Sequence, residues 1–344
     1  MKRLVLTVLF VNLLLASGCK QPAATSAPDA AAPVAALDAG ATTIERPAPR
    51  GGEVKKLADG ALELVGHTET ILAVALDAAG KRAATGGLDR SVRLWDVETG
   101  KLLWSAGPAD EAITTMMFDP SGERLAVGDR AYQVRVFAVK DGELLVRRAH
   151  PDAVATVSWS PDGSWLAVAG VSGNAEVYPA GDASPSKCEL RGRTAHFTDD
   201  GKVLVTTLQT GMLVASSFPQ CKKLKETSTL PQHPLGSASP SSKKVATFNG
   251  GEPVVMLWDS LGGRMLGKLD KQTEGVTTVT LSADGSRALV GSADHRVRLY
   301  DTAKPEVLRS FEVAAMPFAS MTPDAAKAII ADNIVARVVS LAVK

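Results

Sequence analysis

The sequence predicts an all-β chain, closed into a seven-bladed β-propeller of four-stranded antiparallel blades. Three observations lead there. First, a tight turn returns about every 41 residues, a period in the range of roughly 40–45 that marks propellers. It stands at Asp77-Ala78-Ala79-Gly80, Asp119-Pro120-Ser121-Gly122, Ser160-Pro161-Asp162-Gly163 and Thr198-Asp199-Asp200-Gly201. Fainter copies follow at Ser239-Pro240-Ser241-Ser242, Ser282-Ala283-Asp284-Gly285 and Thr322-Pro323-Asp324-Ala325. Second, each turn is flanked by short alternating apolar runs, as antiparallel strands require. Third, the last repeat stops about one strand short, while a spare strand stands ahead of the first repeat.

The N-terminus reads as an export leader followed by a tether. Lys2 and Arg3 precede an apolar run from Leu4 to Ala16, about 13 residues long and too short to span a bilayer comfortably. The stretch Leu15-Ala16-Ser17-Gly18-Cys19 resembles a bacterial lipobox, with Ala16 where Leu is commoner. That resemblance implies cleavage after residue 18, a lipid on Cys19 and a place in the bacterial cell envelope outside the cytoplasm. Lys20, rather than Asp, beside the cysteine favours the outer membrane if the cell is Gram-negative. Residues 19–52 are rich in Ala and Pro and lack aromatics, so they form a disordered tether. The propeller is then expected over residues 53–344.

Within the repeats a first strand precedes the turn, as in Ala73-Val74-Ala75-Leu76 and Val279-Thr280-Leu281. A second follows it, as in Leu125-Ala126-Val127, and a third is exemplified by Ser91-Val92-Arg93-Leu94-Trp95. A fourth starts after a further Gly turn, as in Gly100-Lys101-Leu102-Leu103-Trp104. Gly60-Ala61-Leu62-Glu63-Leu64-Val65 supplies the missing outer strand of the last blade, so closing the ring and removing open sheet edges. Blade boundaries over residues 180–235 are the least defined.

Gly66-His67 and Trp95-Asp96, with Asp89 in the turn between them, resemble the WD-repeat (tryptophan–aspartate) family over about residues 53–344. The resemblance implies a hydrogen-bonded structural tetrad of His67, Thr85, Asp89 and Trp95. A buried Asp needs donors and a buried indole N–H needs an acceptor. Other copies depart from the pattern: Glu252 at the Asp position of the fifth, Gln272 for His in the sixth, Ser172 and Tyr178 in the third. The fourth is weakest, with Thr210 and Ser216 at the two key places.

No nucleophile elbow, phosphate loop or metal-ligand spacing stands out. The histidines His67, His150, His196, His233 and His295 fall at roughly one per blade, and His196 sits on an inner strand that lines the channel. No cofactor is expected. Cys188 and Cys221, at the outer strands of adjacent blades, are a possible disulfide if the intervening loop lets them approach, and buried free thiols otherwise. With 38 Lys and Arg against 37 Asp and Glu, the net charge of +1 gives no support for nucleic-acid binding.

By alignment, the turns between second and third strands carry Arg90, Tyr132, Gly173, Gly211, Pro253, His295 and Asn333 on the narrow face of the ring. Of these, Arg90, Tyr132, His295 and Asn333 form the candidate partner face, because aromatic and Arg side chains dominate binding hot spots. The expected function is a non-catalytic, monomeric scaffold lipoprotein, moored through Cys19, that binds unidentified protein partners and no nucleic acid. Two alternatives are a hydrolase- or lactonase-like enzyme or ligand binder using the central channel, and a structural component of envelope assembly.

Overall fold

The structure is a computed structural model that describes residues 53–57, 60–182, 184–228, 235–239, 244–249, 251–259 and 264–342. These residues form seven antiparallel sheets, the blades of a seven-bladed propeller. Blades 1 to 6 have four strands each and follow chain order over residues 71–106, 113–149, 154–191, 194–228, 235–269 and 276–312. The fourth blade, faint in the sequence, is complete, with strands Thr194–Phe197, Val203–Thr207, Met212–Ser217 and Lys223–Ser228.

Blade 7 joins the two ends of the chain. Its strands Phe318–Met321, Lys327–Asp332 and Val335–Ser340 are followed in the sheet by Leu62–Val65, which pairs Leu64 with Ala336. Glu53–Lys56 adds a fifth strand outside Leu62–Val65, one more than the repeat period anticipates. Trp95 of blade 1 shares a buried cluster with Leu64, Ala336 and Val338 of blade 7, so the closing strand is packed as well as hydrogen-bonded.

The repeated turn has two chemical forms that do the same work. At Asp77 and Asp119 the carboxylate accepts the backbone N–H groups four and five residues on, from Lys81 and Arg82 and from Glu123 and Arg124. At Ser160, Thr198, Ser282 and Thr322 a hydroxyl accepts the N–H five residues on and donates to an Asp two residues on. Either form satisfies donors that the hairpin would otherwise leave unpaired.

A basic residue opening the second strand clasps the next blade at this turn. Arg124 donates to Gly163 O (2.6 Å), Lys244 to Gly285 O (3.2 Å) and Lys327 to Gly80 O (2.9 Å). The last of these links blade 7 to blade 1 across the closure. On the inner strands Thr114 and Thr277 donate to the neighbouring blade at Val154 O and Pro317 O, both at 2.6 Å.

Candidate functional site

The face opposite the repeated turns is built on a layer of buried polar groups. In blade 1, Trp95 Nε1–H donates to Thr85 Oγ1 (2.9 Å), and Thr85 Oγ1 lies 2.7 Å from His67 Nε2. His67 Nδ1 lies 2.9 Å from Asp89. These contacts define one consistent set of protons: the threonine hydroxyl donates to Nε2, and Nδ1–H donates to the carboxylate. Asp89 also receives Arg93, the Ser91 hydroxyl and backbone N–H, and the Thr68 N–H.

Burial keeps the His67 imidazole below its ordinary value of 6.5, against the hydrogen bond to Asp89 that would raise it. Burial alone would raise Asp89, but the donors from His67, Arg93 and Ser91 outweigh it and hold the carboxyl well below its usual range. Both folded-state values therefore lie below the unfolded ones, so both groups contribute stability that is lost as pH falls. The His67 contribution starts to fade below its unfolded value of about 6.5 and the Asp89 contribution below about 4. His67→Gln keeps a donor and an acceptor without titrating, and blade 6 carries Gln272 at this position. The melting temperature of this variant is expected to depend less on pH than wild type between about pH 7 and 5. An unchanged slope would remove His67 from the account.

The sequence pattern places Asp294 in blade 6 at the position of Asp89, but did not reveal how blades 2, 3 and 7 fill this layer. Asp294 pairs with Arg298 at 2.9 Å. In blades 2 and 7 the carboxylate comes instead from the end of the second strand: buried Asp129 pairs with Arg135, and buried Asp332 receives the Ala314 and Ala315 N–H groups with Arg337 at 3.9 Å. In blade 3 it comes from the loop, where Asp152 receives the Ser172 N–H and hydroxyl. Gly170 makes room for it, since a Cβ there would stand 2.3 Å from the Asp152 Cβ. Thus blades 6, 7, 1 and 2, consecutive through the ring closure, each carry an Arg–Asp pair. The matching third-strand positions in blades 3, 4 and 5 are Glu176, Val214 and Met256.

The candidate turn residues stand over this layer. Arg90, Tyr132, His295 and Asn333 have φ between 60° and 63°, the left-handed region, and Gly173 and Gly211 are left-handed too. Pro253 in blade 5 is barred from that conformation by its ring. The turns are pinned by backbone bonds: Arg90 O accepts Ala109 N–H, Tyr132 O accepts His150 N–H and His295 O accepts Val313 N–H. Arg90, Tyr132, His295 and Asn333 are all exposed, Tyr132 to 53%. Asn333 is also bonded across blades. Its carbonyl accepts Ile71 N–H and its Oδ1 accepts the Thr70 hydroxyl, so it is engaged in the joint between blades 7 and 1.

The remaining chemistry-bearing residues are dispersed. His150 is buried in blade 3 beside Tyr178, and His196 is half-buried on an inner strand. Among the described residues no group of three or more His, Cys, Asp and Glu side chains is placed to hold a metal ion. Cys188 and Cys221 are joined by a disulfide with Cα atoms 5.6 Å apart, tying blade 3 to the outer turn of blade 4. Removing it with Cys188→Ser is expected to cost about 2–4 kcal/mol. The melting temperature should drop in the absence of reductant and match wild type in its presence; equal values without reductant would contradict this. Cys19 and His233 lie outside the described residues.

A family model described as WD domain, G-beta repeat matches residues 61–96, 142–178 and 263–301, so the chain carries WD40 repeats. Each match begins in or just before an outer strand and runs through three strands of the next blade, namely blades 1, 3 and 6. Among curated proteins the chain is similar to the U3 small nucleolar RNA-associated protein 15 homologs of Rattus norvegicus and Homo sapiens. Each is 42% identical over 62 residues, 18% of this chain and 12% of the relative. It is also similar to the ribosome biogenesis protein erb1 of Botryotinia fuckeliana, 48% identical over 46 residues, 13% of this chain and 6% of the relative. The chain spans no more than about an eighth of the length of these relatives.

These similarities overturn the envelope reading. Proteins named for U3 small nucleolar RNA association and ribosome biogenesis stand where a bacterial lipoprotein was expected. The membrane-anchored extracytoplasmic scaffold, the membrane partner through Cys19, the cell-envelope and outer-membrane placement and the envelope-assembly alternative are withdrawn with it. So is the exclusion of nucleic acid. The anchor rested on a short apolar run and one cysteine, both outside the described residues. The exclusion rested on net charge, which sums over the whole chain and does not describe any one face.

Proposed function

We propose that this propeller is a non-catalytic docking module that holds protein partners within a ribonucleoprotein assembly, using the turn face of blades 6, 7, 1 and 2. The observation that carries the reading is the unequal decoration of the ring. Arg90, Tyr132 and His295 keep exposed side chains at left-handed turn positions where blades 3 and 4 have Gly173 and Gly211. A side chain other than Gly costs about 1 kcal/mol or more in that conformation. The same arc holds the Arg–Asp pairs beneath those turns. Pinned turns lower the ordering cost of binding. The names of the relatives support the ribonucleoprotein setting.

The left-handed geometry supplies a clean test. Tyr132→Gly and Arg90→Gly remove the side chain while relieving the backbone, so the double variant is expected to melt within about 1 kcal/mol of wild type. Affinity purification from cells that express the protein natively should recover ribosomal-precursor or small nucleolar RNA with wild type and lose it with the double variant. Nuclease treatment before elution separates protein docking, which survives it, from direct RNA contact. Recovery of the same RNA with the double variant, or of none with wild type, would refute the reading.

A further inference from the structure

Blades 3 and 4 lie outside the arc of blades 6, 7, 1 and 2. Their shared corner on the opposite face, that of the repeated turns, differs from the rest of the ring. The residue that opens the second strand is basic in blades 1, 2, 5, 6 and 7, from Arg82 to Lys327. In blade 3 it is Trp165 and in blade 4 Val203. Where Arg124 clasps the next blade through its guanidinium, Trp165 packs on Phe218 of blade 4, with ring centroids 5.2 Å apart and planes at 74°. Phe218 in turn meets the buried Phe197 at 5.2 Å. Trp165 and Phe218 both stay partly exposed, while the other four of the chain's five tryptophans are buried. The seam between blades 3 and 4 is thus closed by aromatic rings that solvent reaches.

Lysines surround these rings. Phe218 N–H donates to Lys202 O and Ser217 N–H to Lys222 O, both at 2.8 Å, so the two lysines flank the turn that carries Phe218. The Cys188–Cys221 disulfide brings in a third, since Cys221 Sγ lies 3.4 Å from Lys187 O. Lys187, Lys202 and Lys222 are all exposed. Two acids close to them in the chain are engaged: Asp200 accepts the Thr198 hydroxyl and the Lys202 N–H, and Glu226 pairs with Lys223 at 2.7 Å. Over residues 187–226, seven Lys and Arg stand against four Asp and Glu, while the whole chain has 38 against 37. A near-neutral chain therefore carries a local excess of positive charge that its total conceals.

We propose that this corner binds single-stranded RNA, with bases stacking on Trp165 and Phe218 and phosphates meeting Lys187, Lys202 and Lys222. Aromatic platforms among lysines suit a single strand, because every base offers a π-face and every nucleotide a charge. A duplex hides those faces in its own stack, and an acidic peptide has none to offer. RNA, rather than DNA, follows from the ribonucleoprotein setting proposed above. Phosphate contacts of this kind give affinities of about 1–100 µM, too weak to retain RNA through a purification. Capture of partners through Tyr132 and Arg90 and binding at this corner are therefore read separately.

The probe is an oligouridylate of about 12 nucleotides, within the usual site sizes for single strands, titrated into the purified full chain. Its log affinity, read by fluorescence anisotropy, is expected to fall by about 2 per log unit of salt, as three phosphate contacts on a single strand require. Tryptophan emission should drop on binding, because Trp165 is the one tryptophan that is not buried. Trp165→Phe should remove that quench while keeping the affinity within about threefold, since Phe also stacks. Lys202→Glu combined with Lys222→Glu should weaken binding at least about tenfold at an unchanged melting temperature. Lys140→Glu, the same charge change on the same face in blade 2, should leave it within about twofold. No binding at about 100 µM, an unquenched complex, or affinity unmoved by the lysine double variant would overturn the proposal. So would equal binding of an RNA duplex or an oligoglutamate of the same length. RNA bound here without partner capture in cells would count against the docking module alone, and the reverse against this corner alone.

Discussion

Trp95→Ala is expected to destabilise the protein by about 3–5 kcal/mol, the range for truncating a buried Trp. The side chain is fully buried, and its loss empties the joint between blades 1 and 7 where the chain closes on itself. It also removes the N–H donor to Thr85, leaving the Thr85–His67–Asp89 chain without its first member. Trp258→Ala provides the comparison. Trp258 makes the equivalent bond to Thr247 but belongs to a smaller cluster with Val205, Leu213 and Val245. Its loss is expected to cost less, and denaturant titration of the two variants should rank them in that order. A Trp95→Ala protein with wild-type stability would mean that the closure is held by the strand pairing alone.

Leu64→Asp attacks the same joint from the other side and is expected to have an effect of at least similar size. Leu64 is 1% exposed and lies on the strand that the N-terminal part of the chain lends to blade 7. Truncating a buried Leu costs about 2–5 kcal/mol, and an unpaired buried carboxylate adds to that. Detaching Leu62–Val65 would leave Val335–Ser340 as an unpaired edge, which templates association with other chains. Lower stability and aggregation on heating are both expected. Leu64→Met, which conserves volume, should cost less than about 1.5 kcal/mol. A soluble, stable Leu64→Asp protein would show that the closing strand is dispensable.

The parts of the fold that were legible in the sequence are those whose chemistry is local. Asp119-Pro120-Ser121-Gly122 and Ser282-Ala283-Asp284-Gly285 specify their turns within a few residues, because the acceptor and the N–H groups it serves are neighbours in the chain. The closing strand could be inferred from a missing strand at one end and a surplus one at the other. Elsewhere the deciding contact is made in space. Asp129 and Asp332 bring a carboxylate to the layer beneath the turns from the end of the second strand and Asp152 from the loop ahead of the first, none of them at the position that Asp89 occupies. The Lys327 clasp on Gly80 spans 247 positions and carries no local mark. The envelope reading failed for a related reason. A leader-like run and a cysteine are short signals, and neither bears on the turn face that the ring presents.

The candidate face was half legible. Alignment brought Arg90, Tyr132, His295 and Asn333 to equivalent turns, which share the left-handed backbone. It did not show that Asn333, exposed like the other three, also bonds across the joint between blades 7 and 1.

The most direct test of the docking account is site-specific photocrosslinking. A photoreactive amino acid at position 132, on the turn face, is compared in cells with one at Lys140, exposed in a turn at the opposite face. The account predicts discrete adducts to a protein of a ribonucleoprotein particle from position 132 and none from position 140. Adducts from position 140 alone, or the same adducts from both, would contradict a docking role for the arc of blades 6, 7, 1 and 2.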